Sequence, residues 1–381
     1  MNKPKPQTPS GGDRRTRSAN LSRRSFMELA VAGGASTLGA TAFGAAGNQN
    51  ASESALPASP DQPEAGAQRL SLSQLRAWED LKYGMFIHFG MSTYVVGKTY
   101  ADIPDGTDPA STYNPDKLEV EQWIQIARDA GMKYAVLTTK HVAGHCLWPS
   151  RHTDLTVAQS GNKTDVVEAF LKACERRGVL PGLYYDSFDN RNRFGQVNVS
   201  PQGAYPWQEN GRTSTYSTSL YQDFQTAQVT ELLTRYGPIR EMWIDIPQLL
   251  GRGYRTFLYG VIAKLQPDAA IMMNSAQLET AWPTDLRSFE RGLPPAPRHE
   301  PWHEIEGKRC YLPGESCNTI GKNWFYVEGD RPRPDDELLN MLLDSRARGV
   351  NFLLDVPPDK HGLIPEESRA ALMRLRKNAG L

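Results

Sequence analysis

From about residue 80 onward, apolar and polar positions fall into two alternating patterns. Six short apolar runs have the continuity and length of buried strands: "YGMFIHFG" (83–90), "KYAVLTTKH" (133–141), "LPGLYYDSF" (180–188), "IREMWIDIP" (239–247), "AAIMMNS" (269–275) and "VNFLLDVPP" (350–358). Between and after them stand stretches with helical period. The segment 117–131 gathers Leu118, Val120, Trp123, Ile124, Ile126 and Ala127 on one face and stops at Gly131. The segment 164–178 opens on Thr164 or Asp165 as a cap and closes at Gly178. Helices are likewise predicted over 219–237, 254–267, 335–349 and 367–378. Residues 276–330, rich in Pro and Gly, break this rhythm and read as irregular, with a strand at "NWFYV" (323–327).

Continuous apolar strands alternating with amphipathic helices predict parallel strands with helices outside. The number of units fits an α/β fold of the (β/α)8 TIM-like barrel type better than a doubly wound sheet. No glycine-rich phosphate loop follows the first strand, which disfavours a dinucleotide fold. In a barrel the reactive groups stand at the C-terminal ends of the strands. That rule selects His88, Lys140, His141, the stretch Tyr184 to Asp189, Asp245 and Asn274.

The N-terminal segment is patterned differently. "LSRRSFMEL", with Arg23 and Arg24 adjacent, leads into a weakly apolar run rich in Ala and Gly. This resembles a twin-arginine export signal over residues 1–47, which would make the protein periplasmic or extracellular. The run is too interrupted to anchor the chain in a membrane, so no membrane span is expected in the mature protein. Residues 48–69 read as a polar linker, leaving 70–381 as the catalytic domain.

Composition narrows the partners. Lys+Arg and Asp+Glu both number 43, so the formal net charge is zero and neither nucleic acid nor an anionic surface is implied. The four cysteines form no CxxC pair, which argues against a zinc ribbon. A Cys310–Cys317 disulfide and four free buried thiols are both compatible with the sequence.

Two candidate chemistries remain. His141 and His145, four apart, have the spacing of a helical zinc half-site. Here, however, the first His ends a strand, Val142 follows it, and no third ligand is evident. No metal or other cofactor is therefore expected. The alternative is a pair of carboxylates. Asp245, ending the apolar "MWID", is the leading candidate, and glycoside hydrolysis would need a second carboxyl. The residues alone leave that partner open among Asp186, Asp189, Glu279, Glu290 and Glu315.

The chain also resembles the α-L-fucosidases of glycoside hydrolase family 29. The likeness is carried by "LKYGMFIHFGMSTY", "YNPDKLEVEQWIQIARDAGMKYAVLTTKH", "CLWPSRHTDLTV", "DVVEAFLKACERRGVLPGLYY", "TELLTRYGPIREMWID" and "NFLLDVPPDKHGLIPE", in order across most of 78–366. The resemblance implies a (β/α)8 barrel, here without an evident C-terminal β-sandwich. It implies a retaining exo-glycosidase on a glycan or glycoconjugate substrate, and says nothing of the oligomeric state. Carried over by position, Asp245 matches the nucleophile, Glu290 is favoured as acid/base with Glu315 its rival, and His88, His141, Tyr100 and Trp148 match sugar-binding positions.

The likeness fails in the sugar pocket. Where the family typically has Lys-His-His-Asp-Gly-Phe, this chain reads Lys140-His141-Val142-Ala143-Gly144-His145. A Glu-Trp pair common in the family is Thr99-Tyr100 here. These losses imply weakened fucose contacts or a different glycone, because a site built to hydrogen-bond a hydroxyl discriminates strongly. The expectation is thus an α-L-fucoside hydrolase. The alternatives are a same-scaffold glycosidase for a related sugar and a non-catalytic carbohydrate-binding relative.

Overall fold

The computed structural model describes residues 66–95, 106–192, 217–274 and 282–381. The export-signal segment, residues 48–65 of the expected linker, Tyr100 and Glu279 lie outside the described residues; residues 66–69, expected as linker, instead pack on the domain, where the Ala67 N–H donates to the Arg309 carbonyl and Arg69 pairs with Asp285.

Five strands and their helices follow the expected order. β1 (Tyr83–Ile87), β2 (Tyr134–Lys140), β3 (Leu180–Asp186), β4 (Glu241–Asp245) and β5 (Ala270–Asn274) pair in parallel, each with its predecessor. β10 (Asn351–Asp355) pairs with β1 on the other side. The segment 276–330 departs from expectation. It contains β6 (Arg287–Glu290) and β9 (Gly314–Thr319), parallel to each other, with β9 beside β10. Between β6 and β9 runs an antiparallel hairpin, β7 (Trp302–Ile305) and β8 (Lys308–Tyr311). A parallel bridge between Met272 and Leu286 joins β5 to β6. Eight parallel strands therefore make a nearly closed barrel. β6 and β9 escaped detection because "RSFE" and "GESCNT" are short and polar. "NWFYV" is not a strand but an irregular loop after β9.

Seven helices are described: α1 (Leu72–Glu79), α2 (Val120–Asp129), α3 (Val166–Arg177), α4 (Ser219–Arg235), α5 (Arg252–Leu265), α6 (Asp335–Ala347) and α7 (Glu366–Ala379). α3 is fixed at both ends as its sequence requires. The Asp165 carboxylate caps the Glu168 N–H, and Gly178 ends the helix at φ 65°, a left-handed position glycine adopts without strain. Four buried free thiols, Cys146, Cys174, Cys310 and Cys317, resolve the disulfide alternative.

Side-chain parity sorts the barrel. Met85, Ile87, Ala135, Leu137, Met242, Ile244, Ile271, Met273, Phe352 and Leu354 belong to the apolar cluster shared with the helices. Phe86, Tyr134, Val136, Tyr184, Trp243, Met272, Cys317 and Leu353 form the interior cluster. α1 closes the floor of that interior. Its Trp78 is 1% exposed, and the ring's burial contributes about 2–3 kcal/mol. The Trp78 indole donates to Glu241 (3.2 Å), while its carbonyl accepts from Asn351 (2.9 Å), both residues opening strands. Gly84 matters here. A Cβ on it would stand 2.5 Å from the Tyr134 ring, so only glycine leaves that ring its place.

Two carboxyls are enclosed in this floor. Glu315 is fully buried and accepts from Tyr134 Oη (2.5 Å) and Trp243 Nε1 (2.9 Å). Burial raises it from the ordinary 4.5 to about 7, against those two hydrogen bonds. Burial, and then the charge of Glu315, push Glu241 well above the ordinary range. Both folded-state values lie above the unfolded ones. The folded state therefore holds protons that the unfolded state has lost, and stability must fall as pH rises from about 4.5 towards 7. Glu241→Gln keeps the shape and a donor for Glu315 while removing the second charge. It is expected to flatten this loss and to stabilise the protein at pH 8 by on the order of 1–3 kcal/mol. Urea unfolding at pH 5 and pH 8 checks it; parallel losses in both proteins would show that the pair is not the source.

Candidate active site

Inward parity places His88, Asp186, Asp245, Asn274, Glu290 and Asp355 together at the C-terminal mouth of the barrel. Asp245 is the hub. Its Oδ2 accepts from Tyr184 Oη (2.6 Å), and its Oδ1 accepts from Asn274 Nδ2 (2.7 Å) and from the N–H of Ile246 (2.9 Å). That last bond depends on Ile246 adopting φ 52°, a left-handed conformation costly for a β-branched residue. Burial raises the Asp245 pKa, while Tyr184, Asn274 and the backbone bond work the other way.

Asn274 ties the second carboxyl to the first. The same Nδ2 donates to Glu290 Oε2 (3.1 Å), and its Oδ1 accepts from the Ser288 hydroxyl, so the amide cannot rotate freely. Burial raises the Glu290 pKa first, and the Asp245 charge raises it further. Glu315, the rival, is not at the mouth at all; it belongs to the enclosed floor. The resemblance favoured Glu290 but left Glu315 as its rival, because β6 and β9 were not legible as strands.

His88 is held by a residue that sequence reasoning did not single out. Asp355 Oδ1 accepts from the His88 backbone N–H (3.2 Å) and lies 2.8 Å from its Nδ1. Asp355 is fully buried, and burial raises it to about 6 against the pull of His88. The usable signal was its place at the end of "NFLLD", in phase with the inward Leu353.

His141 reaches the mouth through a register shift. β2 and β3 pair Thr138 with Tyr184 but Lys140 with Tyr185, so one extra residue enters β2. The shift reverses parity. Lys140 turns away to Asp189 (2.9 Å) and lies over the Tyr185 ring, 4.4 Å from its centroid. His141 instead stacks on Tyr184 at 5.6 Å and 10°. Burial holds His141 well below the usual imidazole range, with the charges of His88 and Lys140 adding to it.

The loop after β9 supplies a second wall. Trp324 lies 5.0 Å from the His88 ring, and Phe325 is 5.0 Å from His141 and 5.2 Å from His88. Neither was found from sequence, because "NWFYV" was read as a strand. Trp148, expected at the pocket, is not there. It is fully buried, and its indole donates to Glu231 of α4 (2.9 Å), so it packs between strand and helix.

His145 also leaves the site. Its Nε2 lies 2.8 Å from Ser160 Oγ and its ring packs 4.7 Å from Tyr113. Burial lowers it to about 3, so it stays neutral in the core. The His141/His145 spacing therefore forms no metal site. Among the described residues, His141, Asp186 and Asp245 are a group whose donor atoms, within 4.8 Å of one another, could hold an ion. Three of the roughly four acceptor positions of Asp245 are already filled, which makes it a poor ligand.

Two half-buried carboxyls sharing one amide at the mouth of a (β/α)8 barrel, ringed by His and aromatic side chains, define a carbohydrate-processing barrel of the glycoside hydrolase type. Comparison with known proteins gives the family. The α-L-fucosidase family model matches residues 92–377. α-L-fucosidase 1 of Arabidopsis thaliana is 32% identical over 319 residues, covering 78% of this chain and 58% of that protein. Tissue α-L-fucosidase of Rattus norvegicus is 31% identical over 302 residues, covering 75% of this chain and 58% of its own length. The structure of α-L-fucosidase isoenzyme 1 from Paenibacillus thiaminolyticus superposes with a TM-score of 0.65 at 28% identity, covering 80% of this chain and 74% of that one. The chain belongs to the α-L-fucosidase family, glycoside hydrolase family 29. It spans a little over half the length of these curated relatives. No helix among the described residues is long and apolar enough to cross a membrane.

Proposed function

We propose that this protein hydrolyses α-L-fucosides with retention of anomeric configuration, with Asp245 as nucleophile and Glu290 as acid/base. The observation that carries this reading is the Asn274 bridge. Two carboxylate oxygens on one Nδ2, at 2.7 and 3.1 Å, stand no farther apart than those two bonds laid end to end. That closeness is in keeping with a retaining pair, whose carboxyl groups stand about 5–5.5 Å apart.

The reaction follows in two balanced steps. An Asp245 oxygen attacks the anomeric carbon as the bond to the leaving oxygen breaks, and the Glu290 proton goes to that oxygen. The Asp245 charge is then consumed in an ester, and one cause of the raised Glu290 pKa disappears with it. Glu290, now a carboxylate, takes a proton from water. The water oxygen attacks the anomeric carbon and the Asp245 carboxylate is released. His88 and His141, whose rings can both donate and accept, hold sugar hydroxyls, and the Trp324–Phe325 wall covers the apolar face of the sugar.

Proton NMR during hydrolysis of 4-nitrophenyl α-L-fucoside tests this. The α-anomer is expected first, and β-fucose as first product would overturn the retaining assignment. The pH profile should be bell-shaped with both limbs displaced upwards from the ordinary carboxylate range. Activity falls below the acid limb as Asp245 takes a proton, and above the alkaline limb as Glu290 loses one; the pair titrates as a unit.

A second reading, a glycosidase for a related sugar, is favoured by one feature. Val142 is fully buried in a small apolar cluster with Phe188, Ile246 and Leu249, and offers the sugar no hydrogen bond. A panel of aryl α-L-fucoside, α-L-galactoside and β-D-arabinoside separates the two readings.

A further inference from the structure

The acid/base Glu290 must face the leaving group, so whatever lies next to it on the rim meets the aglycone. The next residue is Arg291, exposed, at φ 50°. A left-handed conformation at a non-glycine residue costs energy and marks a position held for a purpose. The turn is pinned by the Arg291 N–H on the Cys317 carbonyl (2.8 Å). Its guanidinium carbon lies over the Trp324 ring, 4.9 Å from the centroid, and both terminal nitrogens donate to the Lys322 carbonyl (3.3 and 3.2 Å). Trp324 also packs on His88, at 5.0 Å and 32°, so this shelf continues the wall of the sugar pocket.

The shelf is cationic, and the carboxyls that its Arg291 charge reaches, Glu290 and Asp355, belong to the sugar pocket beside it. Neither Arg291 nor Lys322 pairs its side chain with a carboxylate among the described residues. Of the acids nearby, Asp330 accepts from the N–H groups of Lys322 and Asn323, Glu337 pairs with Arg333, and Asp336 and Asp344 line the cavity that Arg291 borders. At most two of the five guanidinium donors are used by Lys322 O. The remaining fork, held planar over an indole, suits an oxyanion with two oxygens to offer.

We propose that the Arg291–Trp324 shelf is a leaving-group subsite for glycosides whose aglycone carries a carboxylate or sulfate. The proposal rests on the assignment of Glu290 to the leaving-group side. The test compares kcat/KM for 4-nitrophenyl α-L-fucoside with its 3-carboxy and 3-sulfo derivatives, in the full chain and in Arg291→Gln. The wild type is expected to favour the anionic substrates about tenfold, through KM, since a charged hydrogen bond reaches that size. The preference should shrink in about 0.5 M salt. In Arg291→Gln the anionic-to-neutral ratio should fall to near one, and turnover of the neutral substrate reports that the variant is folded. A wild-type ratio near one, or a ratio unchanged in the variant, overturns the subsite. A preference for one anion over the other identifies the source of the charge. If the neutral fucoside itself is not turned over, the fucoside reading fails independently. Calorimetric binding of 3-carboxy-4-nitrophenol then judges the shelf, and equal affinity for both proteins overturns it.

Discussion

Asp245→Ala is expected to lower kcat on 4-nitrophenyl α-L-fucoside by on the order of 10,000-fold, with the protein still folded. The side chain lost is the one that would bond to the anomeric carbon. Tyr184 and Asn274 would each lose an acceptor on Asp245. A small decrease in thermal stability therefore accompanies the loss. Azide can enter the space left by the carboxylate and attack from the same side. It should restore part of the activity and give β-L-fucosyl azide, inverted relative to the substrate. Retention of full activity, or rescue yielding the α-azide, would move the nucleophile elsewhere.

Glu290→Ala should behave differently, and the contrast is diagnostic. A poor leaving group needs the proton that Glu290 supplies, so its turnover should fall by about 100- to 10,000-fold. A 2,4-dinitrophenyl fucoside departs unaided, so its first step should survive. Breakdown of the glycosyl-enzyme then limits the rate, and a burst of phenol is expected. Azide attacking that ester should give the α-azide, the opposite anomer from the Asp245 variant. The alkaline limb of the pH profile should disappear, since the group whose deprotonation caused it is gone. If Glu315→Gln gave this signature instead, the assignment would be wrong. Its enclosure beneath Trp243, with Tyr134 and Trp243 donating to it, makes that outcome incompatible with the geometry.

The parts legible in the sequence were those where one physical signal acts alone. Strands buried on both faces read as apolar runs, so β1 to β5 and β10 were found. Helix ends fixed by a local cap, as at Asp165 and Gly178, were found as well. Asp245 was singled out as a carboxyl ending an apolar strand at the barrel mouth, and the resemblance gave it its rank; Asp355 carries the same local signal and was missed, because that signal alone does not separate a capping carboxyl from a working one. Where a strand is short and polar the signal fails. β6 and β9 are such strands, and without them the preference for Glu290 over Glu315 rested on the resemblance alone. Trp148 was misplaced for a related reason: an indole fits a sugar pocket and a sheet–helix core equally well, and its buried partner Glu231 lies 83 residues away.

The sequence by itself determined the barrel, the strand that presents Asp245 and the membership of a small set of candidate side chains. These depend on periodicity and local capping, which act over a few residues. The tertiary structure decided which of those side chains meet. One extra residue in β2 turns His141 inward and sends Lys140 to Asp189, a difference of parity that no composition encodes. Asn274 joins Asp245 to Glu290 across strands separated by tens of residues, and the floor claims Glu315. Such assignments depend on register and closure, and these are set by the packing of the whole barrel.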